Sequence, residues 1–162
     1  MSRSGYSDDC ENLELYRQAV TRAIKGRRGQ ALLRDLAAAL DAMQDKRLFT
    51  EELVQADGEF CALGVLGAAR GMDMSRIDAW EPSDVARAFG VARSLAAEIV
   101  YENDEHDDYE WVTVEVCGPM RPHWPDYGKH ERSRNLPVGD GPERRWKRMR
   151  AWVAKHIEKD PS

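Results

Sequence analysis

The segment Gly58-Glu59-Phe60-Cys61-Ala62-Leu63-Gly64-Val65-Leu66-Gly67-Ala68-Ala69-Arg70-Gly71 constrains the fold of this chain more than any other. It joins a turn signal, Ala56-Asp57-Gly58, to an apolar run in which Gly64 and Gly67 lie three apart. Asp-Gly between such segments predicts a hairpin, with strands at Leu48–Val54 and Glu59–Cys61. A helix is then predicted from Ala62 to Arg70, although each interior glycine costs about 1 kcal/mol. A cost of that kind implies a packing reason: glycine lets one backbone approach another closely. Gly71 is the expected C-cap.

Helical spacing organises the rest. Leu13, Tyr16, Val20 and Ile24 fall on one face of a helix that Asp8 or Asp9 would cap and that runs to about Lys25. Gly26-Arg27-Arg28-Gly29 breaks it. A second helix, about Gln30 to Met43, turns Leu32, Leu33, Leu36, Ala37, Leu40 and Met43 inward. The short break predicts an antiparallel helix pair. Asp84 to Glu102 reads as helix, turn at Gly90, helix, with Pro82 at the start. A last helix, Glu143 to about Lys159, carries Trp146, Met149, Val153 and Ile157 as its apolar stripe. Trp111 to Val116 alternates weakly and is a further candidate strand near Val112–Val116. Gly118 to Pro142 holds five of the seven prolines and reads as an extended loop.

The length of 162 residues suits one domain with a real core. The expected fold class is therefore α+β, mostly α-helical: a single domain over residues 10–160, of five to six helices with a small antiparallel hairpin. Residues 1–9 are polar and are expected to fray. Charged residues make up 33% of the chain, above the usual ~25%, which predicts a well-solvated surface around a modest core. A net charge of -5 argues against a generic polyanion binder, although local basic patches can still hold nucleic acid. Cys10, Cys61 and Cys117 are odd in number and widely spaced, so neither a disulfide framework nor a zinc site is expected. Cys61, between Phe60 and Ala62, reads as a buried reduced thiol, as in a cytosolic protein. The longest apolar stretch, Phe60 to Ala69, is far short of the ~20 residues that span a bilayer. The chain is expected to be soluble, cytoplasmic and without a membrane partner.

The Gly58–Gly71 segment, together with Phe89-Gly90-Val91 and Tyr101-Glu102-Asn103-Asp104-Glu105, resembles a family of small, uncharacterised phage and prophage proteins. Its members carry a G-x-[FY]-C-x-L-G-x-x segment, a later helix ending in an Asn-Asp turn, and a final amphipathic helix. The resemblance covers about Lys25 to Glu105 and Trp146 to Ile157. In many look-alikes the Asn-Asp turn leads almost directly into the last helix. Here residues 106–141 stand between them and read as an insertion, where individual function tends to live. The resemblance implies a non-enzymatic accessory protein in the cytoplasm of a bacterial host. It would bind a host protein, as an inhibitor of a defence system.

Two charge features are candidate sites. Six of the ten residues from Tyr101 to Glu110 are acidic and none is Lys or Arg. Glu102, Asp104, Glu105, Asp107, Asp108 and Glu110 thus form a candidate partner-binding surface, to which Arg121, Trp124 and Tyr127 of the insertion add an aromatic and cationic element. Carboxylates so close also suit a hard cation, though the spacing fails the EF-hand pattern. The plain reading is a solvated acidic turn. The last helix offers Arg144, Arg145, Lys147 and Arg148, with Trp146 and Trp152, to phosphates and bases; its plain reading is a docked amphipathic helix whose cations face water or the acidic run. His106, His123, His130 and His156 match no zinc spacing. The sequence contains no nucleophile elbow and no phosphate loop, so no catalytic residue, metal or cofactor is expected. A nucleic-acid-binding regulator is the alternative function, a metal-dependent hydrolase the third, and a homodimer the alternative assembly.

Overall fold

Apolar periodicity decides most of the architecture. The computed structural model describes residues 3–5, 12–106, 109–116, 130–137 and 141–159. Among the described residues six helices form: α1 Leu13–Lys25, α2 Arg27–Ala42, α3 Ala62–Ala69, α4 Pro82–Phe89, α5 Arg93–Asp104 and α6 Pro142–His156. Two strands, β1 Tyr109–Val116 and β2 His130–Pro137, lie between α5 and α6 in the chain. The chain divides into two compact units, one of residues 1–106 with 141–162, the other Asp107–Asp140.

The first unit holds the core. Its centre is α3, in which every residue from Ala62 to Gly67 is buried. A helix apolar all round belongs inside a protein, not on its face. Cys61 caps α3, its sulfur accepting the Gly64 N–H at 3.4 Å. Leu32, Leu33, Leu36 and Leu40 of α2 pack toward it, and α2 also meets α6 through Met149 and Val153. Helix α4 lies on α5, and α1 lies against α2 and α5. Gln30, buried in α2, ties three segments: its amide donates to the Ile24 and His156 carbonyls, both at 2.9 Å, and its oxygen accepts from Glu158 N–H at 2.8 Å.

The described residues of the second unit form an antiparallel ribbon. Its register runs from Tyr109 opposite Pro137 to Val116 opposite His130.

The expected hairpin at Leu48–Val54 and Glu59–Cys61 does not form. Among its described residues the core unit is all-helical, and one isolated bridge, Val54 to Phe60, stands where the strands were predicted. The reason is where the backbone bonds go. Glu51 has a φ of 76°, which breaks an extended run. Leu48 N–H bonds the Pro142 carbonyl at 3.0 Å, Phe49 C=O accepts from Asn103, and Glu51 N–H donates to Asp104. Three backbone bonds, Phe49 N–H to the Phe60 carbonyl at 2.9 Å, Gln55 N–H to Glu59 at 2.8 Å and Cys61 N–H to Leu53 at 3.3 Å, still join the segment to its return limb. The bonds to α5 and to the start of α6 interrupt the ladder, which stops at a single bridge. The strand expected near Val112–Val116 falls within β1, whose partner β2 lies in the stretch read as a loop. Leu13, expected on the inward face of α1, is 58% exposed.

Candidate functional site

The acidic end of α5 is largely an internal joint. Asn103 projects its oxygen to the Ala62 N–H at 3.0 Å, fixing the start of α3. Asp104 accepts from Arg3 at 2.9 Å and from the Glu51 N–H at 3.1 Å. Glu105 accepts the Ser4 N–H at 2.9 Å and hydroxyl at 2.8 Å. Arg3 also donates to the Ala79 carbonyl at 2.8 Å and lies 3.6 Å from the Cys61 sulfur. Burial opposes the Arg3 charge, but Cys61 and Asp104 more than offset it and hold the guanidinium above its ordinary pKa. Arg3 and Ser4 are 3% and 1% exposed, so the expected frayed terminus is, at these residues, a seated one.

Glu102 is buried on the same helix. Desolvation raises its pKa, His106 opposes the rise from 3.5 Å, and Glu98 adds to it. Glu98 itself takes a two-pronged bond from Arg17 at 2.7 and 3.1 Å.

These contacts show where the structure places the first residues of the expected acidic partner surface. Glu102, Asp104 and Glu105 are occupied within the core unit. Glu110 lies in β1, opposite Leu136. Asp107, Asp108, Arg121, Trp124 and Tyr127 lie outside the described residues. Among the described residues, no cluster of three or more His, Cys, Asp or Glu side chains could hold a metal ion.

The basic helix is also partly internal. Arg145 is buried and donates to the Leu48 carbonyl at 2.7 Å. Arg148 reaches the Glu102 carbonyl at 3.0 Å and the Asn103 carbonyl at 3.4 Å, and so holds the C-terminal carbonyls of α5. Arg150 grips Asp41 through two bonds of 2.7 Å. Trp146 donates to Leu40 C=O at 3.2 Å and carries Lys46 over its ring. Arg144 and Lys147 are exposed. The set read from sequence as a nucleic-acid grip therefore divides: Arg145 and Arg148 serve the fold, while Arg144 and Lys147 face outward.

Concavities among the described residues of the core unit include two of substantial size. One of about 300 Å³ lies beside Phe49 and Phe60. The other, a groove of about 620 Å³, lies between residues 52–54 and 72–80. Val54, Met72, Met74, Ile77 and Trp80 supply its apolar lining. Met74, one of these lining residues, lies against α3: a Cβ on Gly67 would stand 2.3 Å from the Met74 sulfur. Trp80 is 53% exposed and Val54 36%. Sequence reasoning missed this groove. Met72-Asp73-Met74-Ser75-Arg76-Ile77-Asp78-Ala79-Trp80 follows neither a helical nor a strand period, and its only cue was bulky apolar residues in a stretch without regular structure.

No protein-family model matches this chain, and no curated protein or solved structure matches it either. No helix among the described residues is long and apolar enough to cross a membrane.

Proposed function

We propose that this chain is a non-enzymatic accessory protein that binds a protein of a bacterial host through the groove carrying Trp80. One observation carries this reading: a tryptophan more than half exposed at the edge of a methionine-lined groove. Large aromatic anchors beside adaptable apolar surface are where protein interfaces concentrate their binding energy. The resemblance to phage and prophage proteins supports a cytoplasmic host partner, and a defence system is the target class it suggests. The proposed interface thus moves from the acidic turn, whose first three carboxylates are used internally, to the groove.

The test is site-directed photocrosslinking in bacterial cells from position 80 of the full chain, followed by purification of the captured protein and direct binding. Trp80→Ala should weaken that purified pair at least tenfold, while alanine at Arg121, Trp124 and Tyr127 should leave it near wild type. A partner whose affinity depends on the second set and ignores Trp80 would move the interface to the inserted unit and end the groove reading.

A further inference from the structure

The groove has a charge as well as a shape, and the two together select an occupant. Glu52, Asp73 and Asp78 line it, and among the described residues no Lys or Arg does. Arg76 is exposed on the same loop but is not part of the lining. The loop sets its carboxylates by local bonds. Asp73 Oδ1 accepts from the Ser75 N–H at 3.0 Å and hydroxyl at 2.6 Å, and Asp78 Oδ1 accepts from the Trp80 N–H at 2.9 Å. Both turns use Oδ1, which leaves the second oxygen of each carboxylate for an incoming ammonium or guanidinium. The Ser75 bonds also hold Asp73 below the usual carboxylate range, so it is ionised at neutral pH.

Between these carboxylates the surface is soft. Met72 and Met74 are unbranched thioethers that adapt to the side chains placed on them, and Trp80 offers a rigid face for aliphatic groups or a cation. An acidic segment would meet three like charges. A neutral apolar one would leave the carboxylates without partners. We infer that the occupant of the groove is a cationic amphipathic segment of a partner protein, its apolar side chains on the methionines and Trp80 and its Lys or Arg residues on Glu52, Asp73 and Asp78. This inference rests on the groove reading above and names the class of partner.

The test uses the full chain and three labelled probes read by fluorescence anisotropy. One peptide carries leucine at i, i+3, i+4 and i+7 with lysine elsewhere, the second has glutamate in place of lysine, and the third is a scrambled lysine peptide of equal composition. The amphipathic lysine peptide should bind at least tenfold more tightly than either of the others. Trp80→Ala should weaken it about tenfold. Asp73→Asn with Asp78→Asn, which keeps both turn acceptors, should cut its affinity severalfold and flatten its salt dependence. Lysine and glutamate peptides that bind alike, both sensitive to Trp80→Ala, would overturn the cationic partner and leave the groove intact. A scrambled peptide as good as the amphipathic one, or affinities blind to Trp80→Ala, would overturn both. Concentration-dependent self-association abolished by Trp80→Ala would assign the groove to a second copy and overturn the inference. Trp80→Ala should keep the wild-type circular dichroism spectrum and a cooperative thermal transition, since the side chain is more than half exposed, so a lost affinity reports binding and not unfolding.

Discussion

The Arg3 guanidinium meets the Asp104 carboxylate at 2.9 Å, with side chains only 2% and 7% exposed, across 101 residues of chain. Removing one partner of a buried ion pair costs about 3–5 kcal/mol, because the other charge stays buried. Arg3→Met should therefore lower the urea-unfolding free energy by about 3 kcal/mol, although Asp104 keeps the Glu51 N–H. Combining Arg3→Met with Asp104→Asn should cost less than the two single changes added together. An Arg3→Met variant within about 0.5 kcal/mol of wild type would show that the N-terminal segment does not anchor the fold.

Two glycines that look alike in sequence should respond differently to alanine. A Cβ on Gly64 would stand 1.8 Å from the Leu53 carbonyl oxygen, a backbone atom that cannot step aside. Gly64→Ala should cost about 3 kcal/mol or prevent folding, since overpacking forces the backbone apart. Gly71 has a φ of 64° and nothing near its missing Cβ, so Gly71→Ala should cost only about 1 kcal/mol of backbone strain. Chemical denaturation of the two variants separates steric from conformational need.

Glu102 makes stability depend on pH in a defined direction. Its carboxyl titrates above the ordinary value in the folded chain, chiefly because it is desolvated, with His106 opposing and Glu98 assisting. The folded state thus holds a proton that the unfolded state has already released. The stability conferred by the neutral carboxyl is present in acid and is lost as pH rises from the unfolded value through the raised one. Glu102→Gln removes this titration. The stability of the variant relative to wild type should rise across that window, as read by thermal unfolding at successive pH values. A difference independent of pH would mean that Glu102 is not the titrating group.

The basic helix should split along burial. Arg145→Ala leaves the Leu48 carbonyl without its buried donor and should cost about 2–3 kcal/mol. Lys147→Ala, on the exposed face, should change stability by less than about 0.5 kcal/mol. Thermal unfolding of each variant checks this. Loss of any nucleic-acid affinity in Arg145→Glu would therefore be interpretable only beside a folding measurement.

The helices were legible because their information is local. Val20 and Ile24, the leucines of α2, and Met149 with Val153 sit at helical spacing, and those residues form the core. Cys61 as a buried thiol and the tight approach at Gly64 were equally readable, since small residues in an apolar run have few other uses. The absence of a hairpin ladder was not legible, because Asp57-Gly58 does form a turn but turn chemistry does not say how far the flanking backbone pairs with itself beyond the few bonds it makes here. Asn103, Asp104, Arg145 and Pro142 compete for those hydrogen bonds, and all lie far along the chain. The carboxylates from Glu102 to Glu105 read as a surface for the same reason: nothing near them in sequence shows that Arg3 and Ser4 return to cover two and that burial takes the third.

By itself, then, the sequence determined which segments coil into helices and which of their faces seek the interior, because periodicity and glycine placement act within a few residues. Only the tertiary structure decided which charges are buried joints and which line a groove. That choice depends on long-range partners, and a carboxylate carries the same local signature whether it meets water, Arg3 or the edge of a site beside Trp80.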